Sequence, residues 1–390
     1  MIAPQDIENL GNPYKQRYSS DSMVYARNIW DMKVFKKLLF LGAGNSSNKG
    51  PASNAGRVPL MVFNPKNGRF KKEGVLAEEQ IDIFRTIDHK LYVPGHDATE
   101  KWTFGNFYKR TPNGTWKKYR NIPNALHVYD ITTYNSKLFV GLGMWNVGAV
   151  GVSNDNGARW DIQPSGVAYA RVYSFLKVEN KLYATKTFTP ITKRVKWKYK
   201  MQHHYFSISE YGEKGTFNPR PDINVKVIFP NTFLDKKLSK KIVRTQSFGD
   251  KAIYLGANIT NDHQSDIFGV YVVSSLEYAQ VDIEKVQISK QVKPFDILIK
   301  GSNIYVLGYN VSQKEVIVLQ ASTKSPTQFK ELLHFSSSTF ARSFEMMDNA
   351  FYFGLGCEVA NNAKWRVGEL DEKCGDILRI KKSAIKASLL

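Results

Sequence analysis

The sequence predicts an all-β protein: a seven-bladed β-propeller of four-stranded antiparallel blades. Three observations predict it. A phrase made of an alternating strand, an aromatic residue and a nearby glycine recurs along the chain, with anchor aromatics Phe40, Tyr92, Phe139, Tyr183, Tyr254, Tyr305 and Tyr352. Their spacings of 52, 47, 44, 71, 51 and 47 residues have the period of a propeller blade. Aromatic residues make up 13% of the 390, a bias that favours strands. Finally, no long segment has a sustained helical period, and the candidates Ser275–Val286 and Phe233–Ile242 are short and broken.

Taken in order, residues 1–22 form an N-terminal segment that packs on the propeller or reaches a partner, residues 23–383 the propeller, and 384–390 a tail. The phrase opens as Val34-Phe35-Lys36-Lys37-Leu38-Leu39-Phe40-Leu41-Gly42. It returns as Lys90-Leu91-Tyr92-Val93-Pro94-Gly95 and Lys137-Leu138-Phe139-Val140-Gly141, then without glycine as Lys181-Leu182-Tyr183-Ala184-Thr185. Ala252 to Gly256, Asn303 to Gly308 and Ala350 to Gly354 complete the set. The third unit shows the internal order: strands at His127–Tyr134, Lys137–Gly141, Ala149–Ser153 and Arg159–Ile162, with a tight turn at Asn154–Gly157.

That turn carries the most specific motif. Ser153-Asn154-Asp155-Asn156-Gly157-Ala158-Arg159-Trp160 resembles the Asp-box of sialidase-like propellers, with Ser153, Asp155, Gly157 and Trp160 at its defining positions. The Asp carboxylate can accept backbone N–H groups inside the turn, while glycine supplies positive φ. Fainter echoes stand at Asn64–Phe70, Thr111–Trp116 and Glu213–Phe217. In that superfamily the box is a structural clasp away from the catalytic face, so the resemblance implies fold rather than activity.

First strands line the mouth of a propeller, and each aligned unit there offers an aromatic–polar pair. These are Trp30-Asp31, Phe84-Arg85, Tyr129-Asp130, Tyr173-Ser174, Phe295-Asp296 and Phe344-Glu345. Three residues before each polar member stand Asn28, Asp82, His127, Arg171, Lys293 and Arg342, on a parity that requires a bulge or mixed exposure. Arg85, His127, Asp130, Arg171, Arg342 and Glu345 are therefore the candidate ligand-binding residues, although crowded first strands can also satisfy such groups among themselves. The resemblance implies what a sialidase would need: three arginines, a Tyr–Glu nucleophile pair and an Asp acid/base. Arg27, Arg85, Arg171 and Arg342, with Tyr129, Glu345 and Asp31, could supply them. The family's early Phe/Tyr-Arg-Ile-Pro segment is missing, Tyr119-Arg120-Asn121-Ile122-Pro123 being nearest, and seven units exceed the six of sialidases. No residue is assigned a catalytic role.

Lys and Arg number 55 against 35 Asp and Glu, a net charge of +20 that attracts anionic polymers, phosphorylated or sulfated glycans and nucleic acid. The long fourth unit contains Lys196-Trp197-Lys198-Tyr199-Lys200, with no acidic residue from Leu182 to Ser209. As a strand it places lysines on one face and aromatics on the other, a ribbon for anionic polymers or glycans; it equally serves as a protruding hairpin whose lysines block edge pairing. Lys236-Lys237-Leu238-Ser239-Lys240-Lys241 adds a second basic cluster.

No metal-ligand spacing, dinucleotide fingerprint or nucleophile elbow is present, so no metal and no cofactor are expected. Cys357 and Cys374 are the only cysteines, enough for one disulfide or two thiols. No signal peptide and no 18-residue apolar run occur, which suggests an unprocessed cytoplasmic or virion protein. The expectation is a non-enzymatic recognition or assembly protein for an anionic or glycan-bearing partner, with a viral (phage) particle component as one setting. The alternative is a sialidase-like glycoside hydrolase.

Overall fold

The computed structural model describes residues 1–48, 52–145, 147–168, 170–187, 191–195, 198–202, 208–235, 238–259, 265–278, 280–358 and 371–388. The fold is a seven-bladed β-propeller, each blade a four-stranded antiparallel sheet. The chain forms two compact units, Met1–Arg120 with Ile288–Leu390, and Asn121–Gln287.

The first unit carries blades 1, 2, 6 and 7, whose first strands are Asp31–Phe35, Arg85–Ile87, Val292–Lys300 and Ala341–Met347. Blade 7 takes its outermost strand from the other end of the chain: Ile7–Gly11 pairs antiparallel with Ile377–Lys381, Ile7 opposite Ile380. Part of the 1–22 segment thus completes the last sheet. The second unit carries blades 3, 4 and 5, with first strands His127–Tyr134, Val172–Val178 and Ser239–Phe248. The long fourth unit contains an extra hairpin, Ile191–Val195 paired with Lys198–Gln202, separate from the blade sheets.

All seven anchor aromatics lie on second strands, and none is more than 5% exposed. Several of them pack against neighbouring rings edge to face, as Phe40 does with Trp116 at 6.1 Å and Phe139 with Tyr211 at 4.9 Å. The nearby glycine has a steric cause. A Cβ on Gly42 would fall 2.6 Å from the Ile81 carbonyl oxygen, and one on Gly141 would fall 2.7 Å from that of Val172. The backbone of the following blade approaches there, and only glycine admits it.

Within each unit, consecutive blades are fastened at one level by a polar residue of the first strand. Asp31, Asp130 and Asp296 stand opposite Gly42, Gly141 and Leu307, two residues past their anchors. The Oδ2 of each accepts a backbone N–H at, or just before, the next blade's first strand: Phe84 at 2.6 Å, Phe175 at 3.3 Å and Phe344 at 3.2 Å. In blades 4 and 7 the same level holds serine, and the polarity reverses. Ser174 Oγ donates to the Ile242 carbonyl at 3.1 Å, and Ser343 Oγ to that of Ile29 at 2.7 Å. The bulges required by parity are present before Asp130, Ser174, Asp296 and Ser343. They also correct the sequence alignment. Arg85 and Glu345 face the anchors Tyr92 and Tyr352 directly, two residues out of step with the other polar members.

The Ser153–Trp160 turn joins the third and fourth strands of blade 3. Asp155 accepts from the Arg159 backbone N–H at 2.8 Å and from Arg159 Nε at 2.9 Å, while Ser153 Oγ accepts from Gly157 N at 2.8 Å. The bond from the Arg159 backbone, then that from its side chain, holds the Asp155 carboxyl well below the usual carboxylate range. Gly157 supplies φ of 90°. The echoes at Asn64–Phe70, Thr111–Trp116 and Glu213–Phe217 stand between the same two strands of their own blades.

The aspartate bridges should be worth more than their size suggests. Asp296→Ala would remove the carboxylate to which the buried amides of Phe344 and Ile297 donate and is expected to cost about 2–4 kcal/mol. Urea unfolding measures this, and an unchanged midpoint would remove the bridge from the account.

Candidate functional site

In the second unit, the end of the blades at which the first strands of blades 3, 4 and 5 begin gathers aromatic rings and cations. Tyr129 and Tyr173, each the bulged residue of its strand, stack with centroids 4.0 Å apart. His127 stacks on Tyr129 at 5.3 Å, and Lys241 Nζ sits 4.4 Å from the Tyr173 centroid, so the row runs His127–Tyr129–Tyr173–Lys241 across three blades. Arg171 Nη1 donates to the Tyr129 hydroxyl, and the Arg171 backbone is fixed by Thr187, whose Oγ1 accepts its N–H at 2.8 Å. Burial, then the Tyr173 phenol, pushes the Tyr129 hydroxyl well above the ordinary tyrosine range against the pull of Arg171. Beside them Lys186 is buried with Nζ donating to the Ser165 carbonyl at 3.0 Å, and burial lowers its ammonium to about 8.

Of the expected residues in this unit, His127 and Arg171 join this row. Asp130 lies within the same strand but turns its carboxylate to the amides of Ile131 and Phe175. Lys186 lies on the second strand of blade 4, which an alignment of first strands does not reach, and Lys241, legible in the sequence only as part of a basic cluster, lies on blade 5, which has no aromatic–polar pair to align. Counting from the glycine register would have found Lys241, which pairs with Ala257 just beyond Gly256.

In the first unit, Arg342 is buried, its guanidinium 4.2 Å from the Trp30 ring and 4.9 Å from that of Phe340. Its Nε donates to Asn28 Oδ1 at 2.7 Å and its Nη2 to the Cys357 carbonyl at 3.0 Å. Glu358 adds a carboxylate 4.0 Å away and also meets Lys293 at 3.5 Å. Arg27 Nε donates to the Tyr18 carbonyl at 2.6 Å. Glu345 is elsewhere on the strand, accepting from Val34 N at 3.2 Å and Met346 N at 2.9 Å, with Lys33 at 3.7 Å. Arg85 is half-buried opposite Tyr92. The structure therefore gives Arg342 and Glu345 separate sets of partners. Cys357 and Cys374 lie together as buried thiols with sulfurs 2.8 Å apart, and burial, then Cys357, pushes the Cys374 thiol well up.

Lys196 and Trp197 fall outside the described residues. Lys198, Tyr199 and Lys200 lie on the second strand of the extra hairpin, opposite Val195, Arg194 and Lys193. Among the described residues, no group of three His, Cys, Asp or Glu could hold a metal ion, and no helix is long and apolar enough to cross a membrane.

No family model and no curated protein match the chain. Among solved structures it is similar to the WD40 repeats of RRP9, at 11% identity, with 97% of this chain and 98% of that chain covered and a TM-score of 0.55. It is also similar to the WD40 domain of Pan2 from Neurospora crassa, at 11% identity, with 97% and 96% covered and a TM-score of 0.51. At such identity the likeness is one of fold. The resemblance to sialidase-like propellers rests on the turn motifs of the sequence alone.

A buried carboxyl in blades 1 and 2 sets a pH dependence. Glu78 Oε1 accepts from Asn106 Nδ2 at 2.6 Å and from the Tyr108 hydroxyl at 3.0 Å, while Oε2 is buried without a hydrogen-bond partner. Burial pushes this carboxyl up to about 7, against the two hydrogen bonds. The folded state thus keeps a proton that the unfolded chain releases near pH ~4.3. Glu78's contribution to stability is complete below that value and is lost as pH rises through about 7. Glu78→Gln should flatten the decline in melting temperature between mildly acidic and neutral pH; an identical slope in both proteins would assign the decline to other groups.

Proposed function

We propose that this protein is a recognition propeller that engages an anionic or glycan-bearing partner through the aromatic–cation row of its second unit, without performing chemistry. The observation that carries the reading is the division of labour between charges there. Asp130 is spent on backbone amides, whereas Arg171 and Lys241 are arrayed beside stacked rings. Rings edged by cations suit sugar faces and the sulfate or carboxylate groups that sugars carry. The net charge of +20, and the acid-free stretch from Leu182 to Ser209 that includes Lys196, Trp197, Lys198, Tyr199 and Lys200, favour the same class of partner.

The groups required for sialidase-like hydrolysis are otherwise engaged, which weighs against that alternative. Asp31 and Glu345 accept backbone N–H groups of neighbouring blades. The Tyr129 phenol is paired with an arginine rather than a carboxylate, and burial keeps it protonated. A nucleophilic tyrosine needs the opposite environment.

Binding to immobilised heparin should weaken steeply from about 50 to about 200 mM salt, as expected for cation contacts to a polyanion. Lys241→Ala and the triple replacement of Lys196, Lys198 and Lys200 by Ser should each make that dependence shallower, while Trp197→Ala should lower affinity at every salt concentration. Turnover of a fluorogenic sialoside that disappears with Arg171→Ala would install the hydrolase instead.

A further inference from the structure

The geometry points to a second, separate anion site: a cleft between blades 7 and 1 that takes a small sugar carrying a sulfate or phosphate monoester. The cleft has a volume of about 510 Å³, and its lining includes Lys66, Asp348, Asn349, Tyr352, Arg379, Lys381 and Lys382. A volume in this range is that of sites for small molecules.

The cations converge for structural reasons. Arg379 and Lys381 are two residues apart on Ile377–Lys381 and share one face of that strand, opposite Tyr352 and Ala350. Lys382 is held where its backbone N–H donates to the Asn349 carbonyl at 2.7 Å. Lys66 comes from the third-to-fourth turn of blade 1, fixed by Asn64 Oδ1 accepting its N–H at 3.0 Å. Arg379 is already neutralised by Glu8, with Nε to Oε2 at 2.9 Å.

Lys66, Lys381 and Lys382 are exposed and take part in no ion pair among the described residues. Asp348 is the single carboxylate among the lining residues, so the cleft keeps an excess of positive charge. Three ammonium groups around a concave wall repel one another in the empty state, and a multiply charged oxyanion relieves that repulsion. Lysines supply point charges, which suit the three-oxygen face of a sulfate or phosphate ester better than a planar carboxylate. The Asn349 amide offers both a donor and an acceptor for hydroxyl groups on the rest of the ligand.

Calorimetric titration with N-acetylglucosamine 6-sulfate, its 6-phosphate, unsubstituted N-acetylglucosamine and inorganic sulfate tests the site and separates the two ester sources. The two esters should bind and the neutral sugar should not, with inorganic sulfate weaker than either ester. Lys66→Ala combined with Lys381→Ala should weaken ester binding about tenfold or more at an unchanged melting temperature. If the neutral sugar binds as well as the esters, or if the double variant binds them like wild type, the inference fails. Neither variant touches the second unit. Heparin binding that survives in the double variant but falls with Lys241→Ala upholds the reading above whatever the cleft does, and heparin binding indifferent to Lys241 leaves the cleft result standing.

Discussion

The structure depends on how the crowded first strands keep their polar groups satisfied. Packed side by side, these strands bring backbone amides and carbonyls of one blade against side chains of the next, away from water. A short acidic side chain at this level reaches the neighbouring blade's amide, as Asp31, Asp130 and Asp296 do, the last two just after a bulge. A carboxylate accepting backbone N–H groups makes a stronger bond than a neutral pair. Where the neighbour presents a carbonyl instead, serine performs the same task as a donor, at Ser174 and Ser343. The bulge, the polar residue and the glycine opposite or near it are parts of one device.

That device explains why the candidate site is basic and aromatic rather than acidic. The acidic residues that a reader of the sequence would send to a ligand are taken by the joints between blades. The larger side chains one step before Asp130 and Ser174, Tyr129 and Tyr173, are the bulged residues of their strands and stack on each other. Arg171 and Lys241 then fill the remaining edges of the stack. The joints between blades and the aromatic–cation row are built from adjacent residues.

The repeat was legible because packing demands it: an aromatic must fill the space between sheets, and a glycine must yield to the incoming backbone. Strand order in blade 3 and the third-to-fourth turns were legible for the same reason, since Gly157 and Asp155 act within a few residues of chain. The site was harder. Phe84-Arg85 and Phe344-Glu345 repeat the aromatic–polar pattern, yet Arg85 and Glu345 stand opposite the anchors, two residues beyond the level of the other polar members. Lys241 had no aromatic beside it to mark its level. Ile7–Gly11 is a short strand with polar members, and nothing local says that its partner lies beyond residue 376.

That terminal strand has a kinetic consequence. Six blades are assembled from consecutive chain, and a ribosome can release each in turn; blade 7 must wait until Ile377–Lys381 has been made before Ile7–Gly11 finds its place. The entropy of closing so long a loop grows only with the logarithm of its length, so the stability penalty is modest, but contacts between such distant segments form late. Until then, blade 7 presents an unpaired strand edge, the kind of surface that recruits other chains. The five residues of Ile7–Gly11 are thus made well before the strand they pair with.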